Sequence, residues 1–335
     1  MSRRVSIFGA SFASVSYLLD DATIAADLTA GFATFRMRTG YSGPIINVRR
    51  TVGAVTTIVG VGLGSANSIT LNSPVLSVVT GSSSATTLGE FVAATGYPNP
   101  DGIAANQDGR ASAGFEQIGG TQIWTQTTAT RQPWIVTAGV LETENGIAAL
   151  RFAGAQKCEY GILGGATKPT DYSVIDVMTV DAYNAINFTG MLGSCNSSGV
   201  ETTAWGMALE IRGSGAIFQN KLYSSYGNGT TAANFRSTNN YWVLGQQQLH
   251  EQYKTNNVFG ITAYLNNAAV PMTTISGSIT STGGTNFGFS VGNNGERNDI
   301  NMIGNYQMVL VYRVVKSSVR SAIVTKLNQI LGTTW

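Results

Sequence analysis

Short apolar segments separated by turn residues recur along most of the chain. The clearest are residues 173–180 and 259–265, and an Asn-Asn turn follows the second. A third, residues 45–48, follows a Ser-Gly-Pro turn, where glycine tolerates positive φ and proline fixes φ. Many short strands at roughly ten-residue spacing, divided by Gly and Asn turns, predict a β-sandwich.

A helical period appears near the end of the chain. Apolar residues there repeat at three- and four-residue spacing, at Val319, Ile323, Leu327 and Ile330. Ser317 or Ser318 is placed to cap the start of this helix, and Gly332 is placed to end it. A second, short helix is expected from Asp20 and Asp21 onward, because carboxylates stabilise a helix N-terminus.

Residues 1–31 have no evident place in this strand pattern. Leaving their apolar side chains in water would cost about 25 cal/mol per Å². These side chains belong to Val5, Ile7, Phe8, Phe12, Tyr17, Leu18 and Leu19. We therefore expect residues 1–31 to form an attachment arm that packs on a neighbouring subunit, and residues 32–335 to form the sandwich. The alternative is that the segment adds a strand to its own domain.

Composition argues against several classes of partner. Only 11% of the 335 residues are charged, whereas typical domains carry about a quarter. The hydrophobic share of 43% is enough to bury a large core. The net charge is +2 and no Lys or Arg run is longer than two, so we expect no nucleic-acid partner. Polar residues interrupt every apolar run before it reaches the about 20 residues of a membrane span, so we expect no membrane partner.

Residues 41–50, Tyr-Ser-Gly-Pro-Ile-Ile-Asn-Val-Arg-Arg, resemble the opening segment of the arabinofuranosidase-B-type catalytic fold. That fold is a concanavalin-like jelly roll, and it also occurs in many bacteriophage virion proteins. From Tyr172 onward the chain is similar to a laminin-G-type sandwich, and the terminal helix also fits the family. The resemblance covers about residues 32–332. It implies an all-β fold, an antiparallel jelly-roll (concanavalin-like) β-sandwich with a C-terminal helix.

The segment 205–211, Trp-Gly-Met-Ala-Leu-Glu-Ile, is similar to the nucleophile strand of that family. On a strand, Glu210 lies on the face opposite to the apolar residues Leu209 and Ile211. The resemblance implies that Glu210 would be the nucleophile of an active enzyme. The alternative is a solvated glutamate on an outward face, paired with Arg212. A retaining glycosidase needs a second carboxyl group about 5 Å away.

The enzyme interpretation is weakened because the sequence does not have the second carboxyl group at the matched position. The resemblance places the family's acid, an Asp in a Gly-Gly-Asp-Asn turn, on Asn293 of the segment Val-Gly-Asn-Asn. An amide cannot donate a proton as a carboxylic acid does. Glu296 or Asp299 could substitute only if the loop were shifted. The family's Trp/Tyr-Asp-Gln-Ser-Gly motif is also incomplete here. Residues 124–126 are Trp-Thr-Gln, so the Asp and the following Ser-Gly are absent. No catalytic residue is therefore expected, unless Glu210 acts in a residual hydrolase.

Carbohydrate binding does not require an acid. The residues that could contact a sugar are three polar residues of the matched segments and two aromatic residues whose side chains could stack on a sugar ring. They are Glu210, Asn293, Asn294, Trp124 and Trp242. For the aromatic residues the alternative is burial in the core.

The remaining reactive residue types suggest no cofactor and no metal site. His250 is the only histidine, which argues against zinc fingers and a Ser-His-Asp triad, and we expect it at an exposed strand end. Cys158 and Cys195 leave open one disulfide bond or two free thiols. The oxygen-rich stretch 101–108 lacks the spacing of a known calcium loop and is interpreted as turns.

Taken together, the sequence favours a bacteriophage virion structural protein with a non-catalytic, lectin-like sandwich. Decoration, head-fibre, tail-fibre and receptor-binding roles all fit. The expected location is the virion. The expected partners are further copies of the chain, for example in a trimer, other virion proteins and a cell-surface glycan. The alternatives are an arabinofuranosidase-like glycoside hydrolase using Glu210 and a stand-alone carbohydrate-binding module.

Overall fold

The computed structural model describes residues 16–160, 171–183, 188–193, 205–212, 220–228, 232–255, 261–276, 289–292 and 302–335. Within these ranges the helices are α1 (Ala22–Ala25), α2 (Leu88–Phe91) and α3 (Arg320–Leu331). The strands, in chain order, are β1 (Leu28–Ala33), β2 (Ile46–Val52), β3 (Val55–Val61), β4 (Val75–Thr80), β5 (Gly109–Phe115), β6 (Gln122–Thr125), β7 (Trp134–Thr137), β8 (Val140–Leu141), β9 (Thr143–Glu144), β10 (Ile147–Ala148), β11 (Leu150–Ala153), β12 (Cys158–Tyr160), β13 (Tyr172–Ala182), β14 (Phe188–Gly193), β15 (Trp205–Arg212), β16 (Lys221–Asn228), β17 (Ala232–Ser237), β18 (Gln247–Lys254), β19 (Ile261–Leu265), β20 (Ala268–Val270), β21 (Met272–Ser276), β22 (Phe289–Val291) and β23 (Ile303–Tyr312).

The described strands pair in antiparallel fashion and form two layers. One layer runs β20–β19–β18–β13–β23, and both β1 and β11 pair with the other edge of β23. The second layer runs β21–β17–β16–β15–β14–β22–β12–β6–β5 and continues through β2 and β3 to β4. Strand β7 pairs with β5 and with β11 and so links the layers. This is the antiparallel β-sandwich with a C-terminal helix that the sequence predicts.

Both faces of the central strands β13 and β23 are buried, which explains their almost continuous apolar sequence. Val174 and Val309 belong to the large apolar cluster that also contains side chains of the second layer. Ile175 and Leu310, which point the other way, belong to a second cluster beneath α3. The helix therefore covers the outer face of the first layer.

The C-terminal helix follows the predicted apolar period. Ile323 and Leu327 are fully buried against the sheet, and Gly332 ends the helix with φ +68°. The start differs from the prediction, because a 3₁₀ turn over Ser317–Val319 precedes the helix and no side chain caps it. The short helix predicted after Asp20 and Asp21 is α1, whose Thr23 amide donates to the Asp21 carboxylate at 3.0 Å.

The predicted attachment arm is wrong for the part of it that the structure describes. Leu18, Leu19 and Ile24 are at most 4% exposed and pack in the cluster beneath α3. Strand β1 then pairs with β23, so residues 16–31 are part of the sandwich domain. The physical reason is that the outer face of β23 and α3 leaves an apolar surface that this segment covers. Residues 1–15 lie outside the described ranges.

The Asn-Asn turn after residues 259–265 is where the sequence predicts it, and an Asn-Gly turn lies earlier in the chain. Asn145 and Gly146 join β9 to β10 with φ values of +50° and +76°, as a two-residue hairpin turn requires. Asn266 and Asn267 join β19 to β20 in the same left-handed region. The strand predicted at 45–48 is longer than expected, because β2 continues through both arginines to Val52.

Candidate functional site

Glu210 lies in a row of residues that crosses the second layer. Its position on β15 is directly opposite Gly190 of β14 and Tyr223 of β16. Tyr223 is opposite Arg236 of β17, which in turn is opposite Thr273 of β21. Residues directly opposite one another in a sheet share a face. We call this set of positions the Glu210 row.

The neighbours of Tyr223 identify which face carries the row. Leu222 is in the apolar cluster between the layers, and Ser224 accepts a 3.1 Å hydrogen bond from Gln252 of the first layer. Tyr223, between them, therefore lies on the opposite face of the strand, where it is only 4% exposed. The register also places Leu209 opposite Ser224. This agrees with the expectation that Leu209 and Glu210 lie on opposite faces of β15. The side chains of β15 are outside what the structure describes, so the assignment concerns backbone positions.

The segment matched to the family's acid turn leaves the sheet two strands away from Glu210. Val291 of β22 is opposite Leu192 of β14, and β14 pairs with β15 on its other side. Neighbouring strands are about 4.8 Å apart, so the backbones of β22 and β15 are separated by about 10 Å. Long side chains on one face of such strands can approach to about 5–9 Å, the range in which glycosidases hold their carboxyl groups. Asn293 and Asn294 themselves lie outside the described residues.

Gly292 begins the turn that leads to Asn293. Its φ is +93°, and a Cβ atom there would lie only 2.2 Å from the ring of Phe152. Only glycine satisfies both the backbone conformation and the close approach. The path of the chain at the end of β22 is therefore fixed by glycine at this position.

Both tryptophans considered for sugar stacking are core residues. Trp124 and Trp242 are each 1% exposed and belong to the cluster between the layers. The Trp124 ring packs edge-on against Phe32, with ring centroids 5.5 Å apart, and lies over Gly114, which leaves room for it. Neither ring can offer a face to a sugar. Their prediction as binding residues is corrected on this ground.

His250 is also misplaced by the sequence prediction. It lies in the middle of β18, is fully buried, and its Nδ1 atom is 2.9 Å from the Oδ2 atom of the equally buried Asp176. Burial raises the pKa of Asp176, and the neighbouring His250 partly offsets this rise. The sequence of β18, Gln-Gln-Leu-His-Glu-Gln-Tyr-Lys, has the composition of an exposed strand. It is buried because one face meets the second layer and the other lies under α3.

The outer face of β18 holds a second buried charge. Glu251 is fully buried, and its Oε1 atom is 3.1 Å from Nε of Arg320 at the start of α3. Tyr253 donates a 2.7 Å hydrogen bond to the other carboxylate oxygen, and the Arg320 guanidinium lies 3.6 Å from the centre of the Tyr264 ring. This arrangement fixes the start of α3 on the sheet. No motif in the sequence signals it, because its members are far apart along the chain.

The other chemistry-bearing residues have structural roles. Asp101, in the stretch considered for calcium, pairs with Arg50 at 3.0 Å and accepts hydrogen bonds from Ser83 and Ser84. Cys158 is a free, buried thiol, and burial raises its pKa. Cys195 lies outside the described residues. In the described part of the chain, no group of three or more His, Cys, Asp or Glu residues is placed to hold a metal ion, and no helix is long and apolar enough to cross a membrane.

No family model and no curated protein matches the sequence. Solved structures do match its fold. A GH54 α-L-arabinofuranosidase soaked with a cyclic sulfate inhibitor aligns with TM-score 0.54 and 14% identity, over 90% of this chain and 63% of that chain. An arabinofuranosidase complexed with arabinofuranosyl-α-1,2-xylobiose aligns with TM-score 0.57 and 13% identity, over 92% of this chain and 64% of that chain.

A third match is a GH54 arabinofuranosidase with a glutamate-to-glutamine substitution, soaked with 4-nitrophenyl α-L-arabinofuranoside, at TM-score 0.51 and 14% identity. The chain spans less than two thirds of the length of these enzymes. At such low identity the likeness concerns the fold. The chain thus has the concanavalin-like β-sandwich fold that residues 41–50 indicate.

Proposed function

We propose that this chain is a structural protein of a bacteriophage virion, whose sandwich binds a glycan through the face of the Glu210 row without cleaving it. The observation that carries the proposal is the amide residue that the sequence has at the position matched to the family's acid. The strand order β22–β14–β15 suits a two-carboxyl site, yet the residue at the acid position after β22 is Asn293. A retained face without its proton donor fits binding better than hydrolysis.

The glycan-binding part of the proposal is supported by the outward face of the second layer. Arg236 lies in the Glu210 row and is partly exposed, so its guanidinium can donate hydrogen bonds to sugar hydroxyls, whereas its neighbour Tyr223 is buried and does not offer its ring. Because the fold neighbours include an enzyme complexed with an arabinofuranosyl-xylobiose, arabinose-containing glycans are the first probes to use.

Affinity electrophoresis tests this binding. We expect gels containing arabinoxylan or arabinan to retard the wild-type protein, and Arg236→Ala to remove most of the retardation. Arg38→Ala is the matched control, since Arg38 is an exposed arginine outside the row. Equal mobility with and without polysaccharide, or equal loss in both variants, counts against the proposed face.

The virion part of the proposal rests on surface composition. The stretch 51–89 contains no charged residue, and it includes the strand β4, whose Leu76, Val78 and Val79 are 43–53% exposed. Among the described strands, β4 pairs only with β3, and its other edge is covered only at its start, where the Val75 amide donates to the Thr86 carbonyl at 2.9 Å. Open apolar edges favour assembly with further copies of the chain or with a shell. Mass spectrometry of purified phage particles is the test, and absence of the chain from the particles contradicts this location.

The second candidate function is an arabinofuranosidase-like hydrolase that uses Glu210. The strand order that brings the end of β22 near β15 is the observation in its favour. It requires a proton donor other than Asn293. The two functions differ in one result, cleavage of an unactivated arabinoside.

A further inference from the structure

A row of basic and aromatic residues crosses the sheet where β2, β5, β7 and β11 meet. Arg49 on β2 is directly opposite Arg110 on β5, Arg110 is opposite Trp134 on β7, and Trp134 is opposite Arg151 on β11. All four side chains are partly exposed, whereas the residues beside them in their strands are buried. We call this set the arginine row. It shares no residue with the Glu210 row.

Two arginines directly opposite one another are unfavourable unless something compensates their charge, because like charges at such positions repel. Arg151 has a partner, the carboxylate of Asp181. In the described part of the chain, Arg49 and Arg110 have no ion-pair partner within 4 Å. Burial lowers the pKa of Arg110; the neighbouring Asp108 partly offsets this, and the like charge of Arg49 adds a smaller effect in the lowering direction.

The Arg110 guanidinium is held in place before any ligand arrives. It lies 4.0 Å from the centre of the Trp134 ring, and it donates a 3.2 Å hydrogen bond to the carbonyl of Gln132. Arg49 donates to the Thr56 hydroxyl at 3.3 Å. A guanidinium has five N–H donors, so each arginine retains donors for a further partner. A rigid guanidinium loses little entropy when it binds an anion.

Arg49 and Arg110 open onto a cavity of about 280 Å³, close to the small end of ligand pockets at about 300 Å³. Its remaining walls are polar: Thr51, Asn106, Gln107 and Asp108. The loop that supplies three of them is anchored by backbone hydrogen bonds of 2.8 Å, from Asn106 to the Ala93 carbonyl and from Gln107 to the Val92 carbonyl. The cavity is therefore preformed, with two positive donors on one side and amide and carboxylate acceptors on the other.

We propose that this cavity binds an acidic sugar, with the carboxylate of the sugar between Arg49 and Arg110 and its hydroxyl groups on the Asn106–Asp108 loop. A carboxylate matches the planar donor fork of a guanidinium and neutralises the repulsion between the two arginines. Asp108 and the amide groups accept from or donate to ring hydroxyls, which an inorganic anion lacks. The size of the cavity limits the recognised unit to one sugar residue.

Isothermal titration calorimetry with a galacturonic acid trisaccharide tests the proposal, with a neutral galactose trisaccharide and inorganic phosphate as comparison probes. We expect measurable binding of the acidic trisaccharide only. Arg49→Ala and Arg110→Ala should each weaken this binding at least about tenfold, since each removes a charge-assisted hydrogen-bond donor. Arg38→Ala, at an exposed arginine outside the row, should leave it unchanged.

Arg110→Ala also removes a contact with Trp134, so the melting temperature of each variant is measured beside its affinity. Arg49→Ala does not touch Trp134 and keeps the test valid if Arg110→Ala is unstable. Binding of the neutral trisaccharide with equal affinity overturns the proposal. Binding of phosphate as tightly as the acidic sugar overturns it as well, since the cavity would then be a general anion site. Absence of acidic-sugar binding, or equal loss in Arg38→Ala, does the same. These outcomes are independent of the glycan test on the Glu210 row.

Discussion

The interior of the first layer contains polar residues, including one that the sequence predicts to be exposed. Asp176, His250 and Glu251 are all fully buried in the first layer, and two of them form a hydrogen-bonded pair. Buried charged groups are costly unless they are paired. The sequence predicts an exposed His250 because a single strand shows its own polar residues but not the layers that cover it. Trp124 and Trp242 fail as sugar-binding residues for the same reason.

The buried Asp176 carboxyl should give the domain a pH dependence of a defined sign. Burial raises its folded-state pKa above the unfolded value of about 4. A raised carboxyl pKa contributes stability that is fully present below the unfolded pKa and is lost as pH rises through the folded pKa. We expect Asp176→Asn to remove this contribution. The free energy of unfolding of the variant, relative to wild type, should therefore improve as the pH rises above about 4.

Urea unfolding at several pH values above about 4 measures the difference. Comparison of the variant with wild type cancels the contributions of carboxyl groups distant from Asp176, and the measured difference reports on Asp176 together with its hydrogen-bond partner His250. A difference between the two proteins that does not vary with pH would show that Asp176 titrates alike in the folded and unfolded states.

At the scale of elements, the predictions that succeed are those that need only local information. The period of α3, the turn at Asn266 and Asn267, and strand β13 all follow from neighbouring residues. The attachment arm fails because apolar residues such as Leu18 show that a segment is buried but not on which surface. That information depends on β23 and α3, almost 300 residues later in the chain.

Strand β4 gives a prediction about assembly. Val78 is 43% exposed on the open edge strand, so Val78→Lys places a charge there without disturbing the core. We expect this variant to reduce self-association in sedimentation velocity while the melting temperature stays close to that of the wild type, because a lysine on an edge opposes edge-to-edge pairing. Val140→Lys is the matched control, since Val140 is 69% exposed on β8. A monomeric wild type, or equal dissociation in both variants, contradicts the role of β4.

At the scale of the whole molecule, the strand order of the sandwich determines where the Glu210 row and the arginine row lie. The Glu210 row follows the outward face of the second layer across β14 to β21, and the arginine row crosses β2, β5, β7 and β11. The sequence predicts the fold and the Glu210 strand through its resemblance to the arabinofuranosidase fold. It does not predict the arginine row, because Arg49, Arg110 and Arg151 become neighbours only through strand pairing.

The central claim is that the sandwich retains the face of a glycosidase without its acid. The most direct measurement is cleavage of arabinan oligosaccharides by purified wild-type protein and by Glu210→Gln. Such substrates have poor leaving groups and need protonation by an acid, unlike activated nitrophenyl arabinosides. The account predicts no product from either protein under conditions in which an active arabinofuranosidase digests the substrate. Product formed by wild type and abolished by Glu210→Gln would contradict it and establish the hydrolase.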